Sequence, residues 1–136
     1  MPLSITTYLG DLRTSSFYSI SGKELITDAP VESGGKGESF TPTDLLVTAL
    51  ANCMLTNMGI LATRMKINIE GTTCSITKIM AVNPRRIGEI HALLTFPVKL
   101  SVKEKSMLEN ATKTCPIFYS LHADIKVQLE MEYPVH

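Results

Sequence analysis

The cysteines are the side chains of this sequence best suited to covalent chemistry, and there are three of them. Cys115 comes directly before Pro116, and proline is favoured in the first turn of a helix because its missing N–H costs nothing there. Cys115 would then cap a helix with its sulfur near free backbone N–H groups, a position that favours the reactive thiolate. A small buried hydrophobic residue is the alternative interpretation of the same cysteine.

Cys53 and Cys74 lie inside predicted secondary structure, where burial is the simplest interpretation of a free thiol. Cys53 falls in the middle of a long helical pattern, on the same face as Asn57. The helix dipole acts only near helix ends, so Cys53 would need a nearby cation to become reactive. Cys74 alternates with Ile76 in a strand pattern, which is typical of a core residue.

Other patterns that carry chemistry are weak in this sequence. His91, His122 and His136 are scattered, and no two cysteines have the spacing of metal ligands, so we expect no metal site. The run Gly34-Gly35-Lys36-Gly37 lacks the Gly-Lys-Ser/Thr of a phosphate-binding loop and the glycine spacing of a dinucleotide site. We therefore interpret it as a flexible connection.

The composition is that of one folded domain covering residues 1–136. Hydrophobic residues make up 44% and charged residues 19% of the chain, and 13 basic residues balance 13 acidic ones. A neutral chain offers no electrostatic reason to bind nucleic acid or an anionic membrane. The N-terminus lacks the basic and apolar regions of a signal peptide, so we expect free thiols in a reducing compartment, the cytoplasm.

One helix is predicted with clear start signals. Thr41 can cap it, Pro42 occupies its first position, and Asp44 completes a capping-box pattern in place of the usual glutamate. Apolar residues then recur at helical spacing to about Lys66. The segment 45–65 approaches a membrane span in length, but polar residues interrupt it, and a helix apolar on most sides is more simply a buried one.

Strand patterns, rich in β-branched and aromatic residues, lie on both sides of this helix. The predicted strands are residues 5–9, 15–20, 23–27, 73–82, 87–98 and 123–133. Another helix is predicted over about residues 102–112, and a short one from Pro116. The last strand alternates apolar and polar residues, which suits an antiparallel sheet with one solvated face. This order of elements predicts an α+β fold.

Two separated motifs resemble the OsmC/Ohr family, the osmotically inducible and organic-hydroperoxide-resistance proteins. The first is Ser-Phe-Thr-Pro-Thr-Asp-Leu-Leu at residues 39–46 with Ala-Leu-Ala-Asn-Cys at residues 49–53, and the second is Cys115-Pro116. Either motif alone would be weak, but the pair in this order and at this separation is fairly specific. An early Gly10-Asp11-Leu12-Arg13 strand, the hairpin and the last strand extend the resemblance over most of the chain.

The resemblance implies an α+β OsmC-like fold in which antiparallel sheets surround the long central helices of an intertwined homodimer. It also implies a thiol peroxidase without metal or organic cofactor, in which Cys53 is the peroxidatic thiolate and Cys115 the resolving thiol. Cys53 would become a sulfenic acid, Cys115 would condense with it, and a dithiol reductant would restore both. The implied substrates are organic hydroperoxides, and the implied role is antioxidant, in the oxidative stress response.

The family peroxidases stabilise the thiolate with an early arginine, which is held by a glutamate ten residues before the peroxidatic cysteine. Arg13 is the arginine of the early strands here, but the position ten residues before Cys53 is a threonine, which cannot form a salt bridge. The carboxylate could come from Asp44, Glu38 or Glu32 instead, although Asp44 is most simply a helix cap.

Two functions of different class therefore stay open. The first is an organic-hydroperoxide peroxidase, and the second is a non-catalytic or redox-responsive dimer of the same fold that binds a small molecule. The missing carboxylate at position 43 favours the second, whereas both thiols at family positions favour the first. Arg85 and Arg86 at the predicted hairpin tip are a further candidate cation or a solvated turn. The site predicted for the peroxidase comprises Cys53, Cys115, Arg13 and Asp44.

Overall fold

The computed structural model describes residues 1–135. Its contacts form two compact units, one of residues 1–46 and one of the described residues from 47 onward. Three α-helices, one short 3-10 turn and two three-stranded sheets make up the described chain. The α+β class is therefore confirmed, whereas the single domain over residues 1–136 stays a prediction.

The first unit contains an antiparallel sheet with the strand order β1-β2-β3. The strands are β1 (Ser4–Gly10), β2 (Arg13–Tyr18) and β3 (Glu24–Asp28). The register pairs Phe17 with Ile5 on one side and with Glu24 on the other. At the opposite end of β2, the same register pairs Arg13 with Asp28 and so brings two opposite charges together.

The connection between β1 and β2 is a tight turn. Asp11 and Leu12 have positive φ values of 54° and 61°, as do the two central residues of a type I′ hairpin turn. The expected Gly10-Asp11-Leu12-Arg13 strand is therefore wrong, because the chain reverses its direction within it. Arg13 is instead the first residue of β2, directly after the turn.

The glycine-rich segment after β3 is a hydrogen-bonded loop. It contains a short 3-10 turn, Val31–Ser33, and the Gly37 N–H donates to the Ala29 carbonyl at 3.3 Å. A Cβ on Gly35 would lie only 2.0 Å from that carbonyl oxygen, so the close approach requires glycine. The glycines thus let the loop fold back on itself before it reaches Glu38.

The long helix α1 runs from Pro42 to Met65. The Thr41 N–H donates to Asp44 Oδ2 at 3.2 Å, and the Asp44 N–H donates to Thr41 Oγ1 at 3.1 Å. This reciprocal pair is the predicted capping box, with aspartate in place of glutamate. It gives hydrogen-bond partners to two backbone N–H groups at the start of the helix, and it fixes where the helix begins.

The second unit contains a mixed sheet with the strand order β4-β5-β6. Its strands are β4 (Thr73–Ala81), β5 (Arg86–Thr95) and β6 (Lys126–Glu132). β4 and β5 form the predicted antiparallel hairpin, but β6 pairs with β5 in parallel. The antiparallel prediction is therefore wrong for the last strand. The helices α2 (Val102–Thr112) and α3 (Pro116–Ser120) connect β5 to β6, and such a crossover allows parallel pairing.

Two apolar clusters join α1 to the mixed sheet. All three cysteines belong to the first cluster. Cys115 is a buried member, and Cys53 and Cys74 are partly buried and pack against it. Its buried members are Val47, Leu50, Met54, Ile90, Ala92 and Cys115. The buried members of the second cluster are Met58, Ala62, Leu94, Phe96, Leu108 and Ala111. Both clusters draw on one face of α1, which is why its apolar residues recur at helical spacing.

By length and composition, α1 is long and apolar enough to cross a membrane, and it is the one described helix of that kind. Core helices of globular proteins share this composition, because they must cover apolar surface on several sides. The packing of Leu50, Met54 and Met58 against the sheet accounts for much of its apolar character. This packing covers one face of α1, whereas Leu46 and Ile60 are exposed, so burial of the helix on most sides stays a prediction.

Candidate active site

Cys115 lies between α2 and α3, and its side chain is fully buried. It is the N-cap residue of α3, as predicted, and its Sγ accepts a hydrogen bond from the Phe118 N–H at 3.4 Å. Burial nevertheless raises the pKa of the Cys115 thiol, and the backbone hydrogen bond lowers it only in part. Burial of the Cys115 thiol thus outweighs the effect of its cap position on the pKa. A helix of five residues offers too few aligned peptide groups to outweigh desolvation of the sulfur.

Cys53 lies next to Cys115 although the two are far apart in the sequence. It projects from the middle of α1, is half-buried, and packs against the cluster that contains Cys115. After burial, the neighbouring Cys53 thiol is a further cause of the raised pKa of Cys115. Two adjacent free thiols in apolar surroundings can be oxidised to a disulfide and reduced again by thiol exchange.

Arg13 is held by two carboxylates in the first unit. Its Nε lies 2.7 Å from Asp28 Oδ1 and its Nη2 lies 2.8 Å from Asp28 Oδ2. The same Nη2 lies 2.8 Å from Glu38 Oε1. The Asp28 side chain is fully buried, whereas that of Glu38 is 68% exposed, so Asp28 is the main partner. The guanidinium lowers the pKa of the Asp28 carboxyl, and Asp28 in turn raises the pKa of Arg13.

Asp28 is a partner of Arg13 that the sequence analysis does not predict. Glu38 is one of the carboxylates that the sequence predicts for Arg13, and it contacts the same guanidinium. A hairpin centred on the predicted Ser21-Gly22 turn would place Pro30 opposite Arg13, whereas the observed register is two residues shorter and places Asp28 there. The bidentate geometry needed the register of β2 and β3, which strand patterns alone do not fix.

The remaining predicted residues have structural contacts in the described part of the chain. Asp44 caps α1, and a catalytic role for it stays a prediction. Arg86 Nη1 donates to the carbonyls of Val82 and Pro84, each at 2.9 Å, as expected of a residue that holds a turn. Cys74 packs against both apolar clusters, and burial raises its pKa, as expected of a core thiol.

Within residues 1–135, no group of three or more His, Cys, Asp or Glu side chains is arranged to hold a metal ion. His91 Nε2 contacts Glu89, and His122 Nδ1 lies 3.8 Å from Asp124, both on the surface of the second unit. His136, the third histidine, lies outside the described residues.

The fold and the site define a class of α+β proteins that carry two adjacent free thiols. One thiol, Cys53, lies on a long capped helix, and the other, Cys115, directly precedes the proline that begins a short helix. The family model of OsmC-like proteins matches residues 35–130, which include both thiols. The chain therefore belongs to the OsmC-like family. No curated protein is significantly similar to it in sequence.

Solved structures agree with this assignment. A protein of Psychrobacter arcticus 273-4, provisionally described as an osmotic-stress-induced and detoxification response protein, is 49% identical with a TM-score of 0.95, over 97% of this chain and 96% of that one. An OsmC-like protein of Mycoplasma pneumoniae is 20% identical with a TM-score of 0.81, over 98% and 96%. An organic hydroperoxide resistance protein of Legionella pneumophila is 16% identical with a TM-score of 0.75, over 97% and 98%. The last two show that the fold is shared.

Proposed function

We propose that this protein is a cysteine-based peroxidase that reduces organic hydroperoxides, with Cys53 as the peroxidatic thiol and Cys115 as the resolving thiol. The observation that carries the proposal is the placement of both thiols in one apolar cluster of the second unit. Apolar surroundings suit an organic hydroperoxide better than hydrogen peroxide. The Legionella pneumophila relative of the same fold is named for resistance to organic hydroperoxides.

The proposed reaction has three steps. The Cys53 thiolate attacks the O–O bond of the hydroperoxide, so that an S–O bond forms and the substrate leaves, with a proton, as an alcohol. The Cys115 sulfur then attacks the Cys53 sulfenic acid, so that an S–S bond forms and water leaves. A dithiol reductant supplies two electrons and two protons, becomes a disulfide itself, and restores both thiols.

The carboxylates around Arg13 help to decide between the two functions that the sequence leaves open. The absence of a carboxylate at position 43 is the one reason in favour of the alternative function, a non-catalytic or redox-responsive dimer that binds a small molecule. Asp28 and Glu38 supply two carboxylates to Arg13, which removes that reason. Stabilisation of the Cys53 thiolate by Arg13 stays a prediction.

Free thiols that cycle through a disulfide need a reducing compartment, and we place the protein in the cytoplasm.

We also propose that the protein acts as a homodimer through its first unit. Large apolar side chains are exposed on both faces of the sheet β1-β2-β3, and a sheet is stable only when at least one face is covered. A second copy of the chain would cover them, as the family resemblance implies. The exposed apolar residues of these three strands are Ile5, Tyr8, Leu9, Phe17, Tyr18 and Leu25.

Phe17→Lys should therefore reduce the mass of the assembly in solution. Light scattering on the wild type should give twice the chain mass of 14.9 kDa, and the variant should dissociate at a protein concentration at least about tenfold higher, because a lysine at a buried contact costs more than 1.4 kcal/mol. Val82→Lys is the matched control, since Val82 is 71% exposed at the tip of the β4–β5 hairpin. A monomeric wild type would overturn the proposed dimer.

The peroxidase proposal is tested by counting thiols. Pure reduced protein is treated anaerobically with one equivalent of cumene hydroperoxide, and its free thiols are titrated before and after. We expect the loss of two thiols per chain, and a Cys53–Cys115 crosslinked peptide by mass spectrometry, with Cys74 still free. An unchanged number of free thiols would contradict peroxidase chemistry and would favour the alternative function, the binding of a small molecule.

A further inference from the structure

We propose that Asn57 is a positioning residue for the thiol pair: its side-chain amide fastens the segment that carries Cys115 to the helix that carries Cys53, and thereby sets how readily the disulfide closes. This inference rests on the proposed function for its biological meaning. Its geometry, however, concerns only two segments of the second unit, α1 and the end of α2.

The hydrogen bonds of Asn57 join segments that are distant in the sequence. Its Nδ2 donates to the carbonyl oxygen of Ala111 at 2.7 Å, and it makes a longer contact of 3.4 Å with Thr114 Oγ1. Ala111 lies in the last turn of α2, where carbonyls have no partner within the helix. Ala111 is buried, and its carbonyl also accepts a longer hydrogen bond, 3.4 Å, from the Thr114 N–H just beyond α2, so the Asn57 amide adds the bond that ties this carbonyl to α1.

The two ends of this contact lie beside the two thiols. Asn57 follows Cys53 by one helical turn on the same face of α1, a rise of about 6 Å. Thr114 directly precedes Cys115. A movement of the end of α2 relative to α1 would therefore be enough to change the distance between the Cys53 and Cys115 sulfurs.

The local chain around Cys115 depends on such an anchor. Cys115 is the N-cap of α3, which has only five residues and cannot fix its own position. The Thr114 hydroxyl also contacts the Ala111 carbonyl, at 3.3 Å, so the anchored carbonyl and the residue before Cys115 form one network. The Asn57 amide is the member of this network that comes from α1.

Disulfide closure is the step that this anchor governs. The S–S bond forms between Cys115 and Cys53 as water leaves the sulfenic acid, or as two glutathione thiols leave when glutathione disulfide is the oxidant. Both reactions require the sulfurs to meet, and the rate of such an intramolecular step falls steeply with small displacements. Attack of Cys53 on the hydroperoxide does not require Cys115, so loss of the anchor should leave it unchanged.

The test compares Asn57→Ala with Asn52→Ala. Asn52 lies on the same helix, but its amide donates to the Thr48 carbonyl of that helix, at 2.8 Å, and joins nothing to α2. Each variant is equilibrated with reduced and oxidised glutathione to measure the effective concentration of Cys53 for Cys115. Each is also treated with cumene hydroperoxide, with dimedone to trap sulfenic acid, to separate the first step from closure.

We expect Asn57→Ala to lower the effective concentration about tenfold, which raises the reduction potential of the disulfide by about 30 mV. The same variant should slow closure about tenfold. Sulfenic acid should form at the wild-type rate. Thr114→Val keeps the 2.7 Å bond of Asn57 and removes only the longer contacts of the Thr114 hydroxyl, so it should change both by less than about twofold. Both variants should retain the wild-type far-UV circular dichroism spectrum.

Two failures are distinguishable. Equal effective concentrations in Asn57→Ala and Asn52→Ala would overturn the positioning role, whatever the protein does with peroxides. A wild type that closes its disulfide in glutathione buffer but ignores cumene hydroperoxide would overturn the proposed function. The comparison of the two alanine variants in glutathione buffer would then still decide the role of Asn57.

Discussion

Cys53→Ser should abolish the reduction of organic hydroperoxides while the protein stays folded. Serine cannot supply a thiolate, and removal of a catalytic nucleophile lowers turnover by more than about a thousandfold. The stability should change by less than about 1 kcal/mol, because a half-buried thiol is replaced by a hydroxyl of similar size. The measurement is consumption of cumene hydroperoxide with a dithiol reductant in excess, alongside thermal unfolding.

Cys115→Ser separates the two proposed roles when hydroperoxide is added without a dithiol reductant. This variant should reduce one equivalent of hydroperoxide and then stop, because its Cys53 sulfenic acid has no resolving thiol, and dimedone should trap it. Cys74→Ser is the control, since Cys74 packs in the core and should not enter the cycle. Full turnover in Cys53→Ser would contradict the assignment, and so would a Cys115→Ser variant from which dimedone traps no sulfenic acid.

Asp28→Asn should lower the melting temperature of the protein by about 5 °C or more at pH 7. Asparagine keeps the size of the side chain but leaves the Arg13 guanidinium without its buried charged partner, which in the wild type lies 2.7 Å away. Glu38→Gln is the matched control, because Glu38 contacts the same guanidinium but is 68% exposed. Exposed ion pairs contribute little, so that variant should shift the melting temperature by less than about 2 °C.

The same variant should change how stability depends on pH. Arg13 lowers the pKa of the Asp28 carboxyl in the folded protein below its ordinary value of 3.8, so the unfolded chain takes up this proton first as the pH falls. The contribution of Asp28 is therefore complete above its ordinary pKa and is lost as the pH falls below 3.8 through the folded value. Urea unfolding from pH 7 to pH 2 should show a shallower acid loss in Asp28→Asn than in the wild type. Parallel acid limbs would contradict an ionised Asp28 in the folded state.

The sequence by itself determined the elements that depend on local interactions. The start of α1 follows from Thr41, Pro42 and Asp44, and the position of Cys115 before α3 follows from Pro116, since caps and first-turn prolines act within four residues. The family motifs around Cys53 and Cys115 also indicated which thiols to consider together. Each of these signals lies within a short segment, where backbone geometry is set by neighbouring residues.

Only the tertiary structure decided what depends on contacts between distant segments. Alternation in the last strand gave its two faces but not its direction, which follows from the crossover through α2 and α3. Strand patterns did not fix the register that joins Arg13 to Asp28. The pKa of Cys115 depends on how much of its sulfur loses water, and neighbouring residues in the sequence do not set burial. Register, direction and burial are properties of packed surfaces, so they arise only when remote parts of the chain meet.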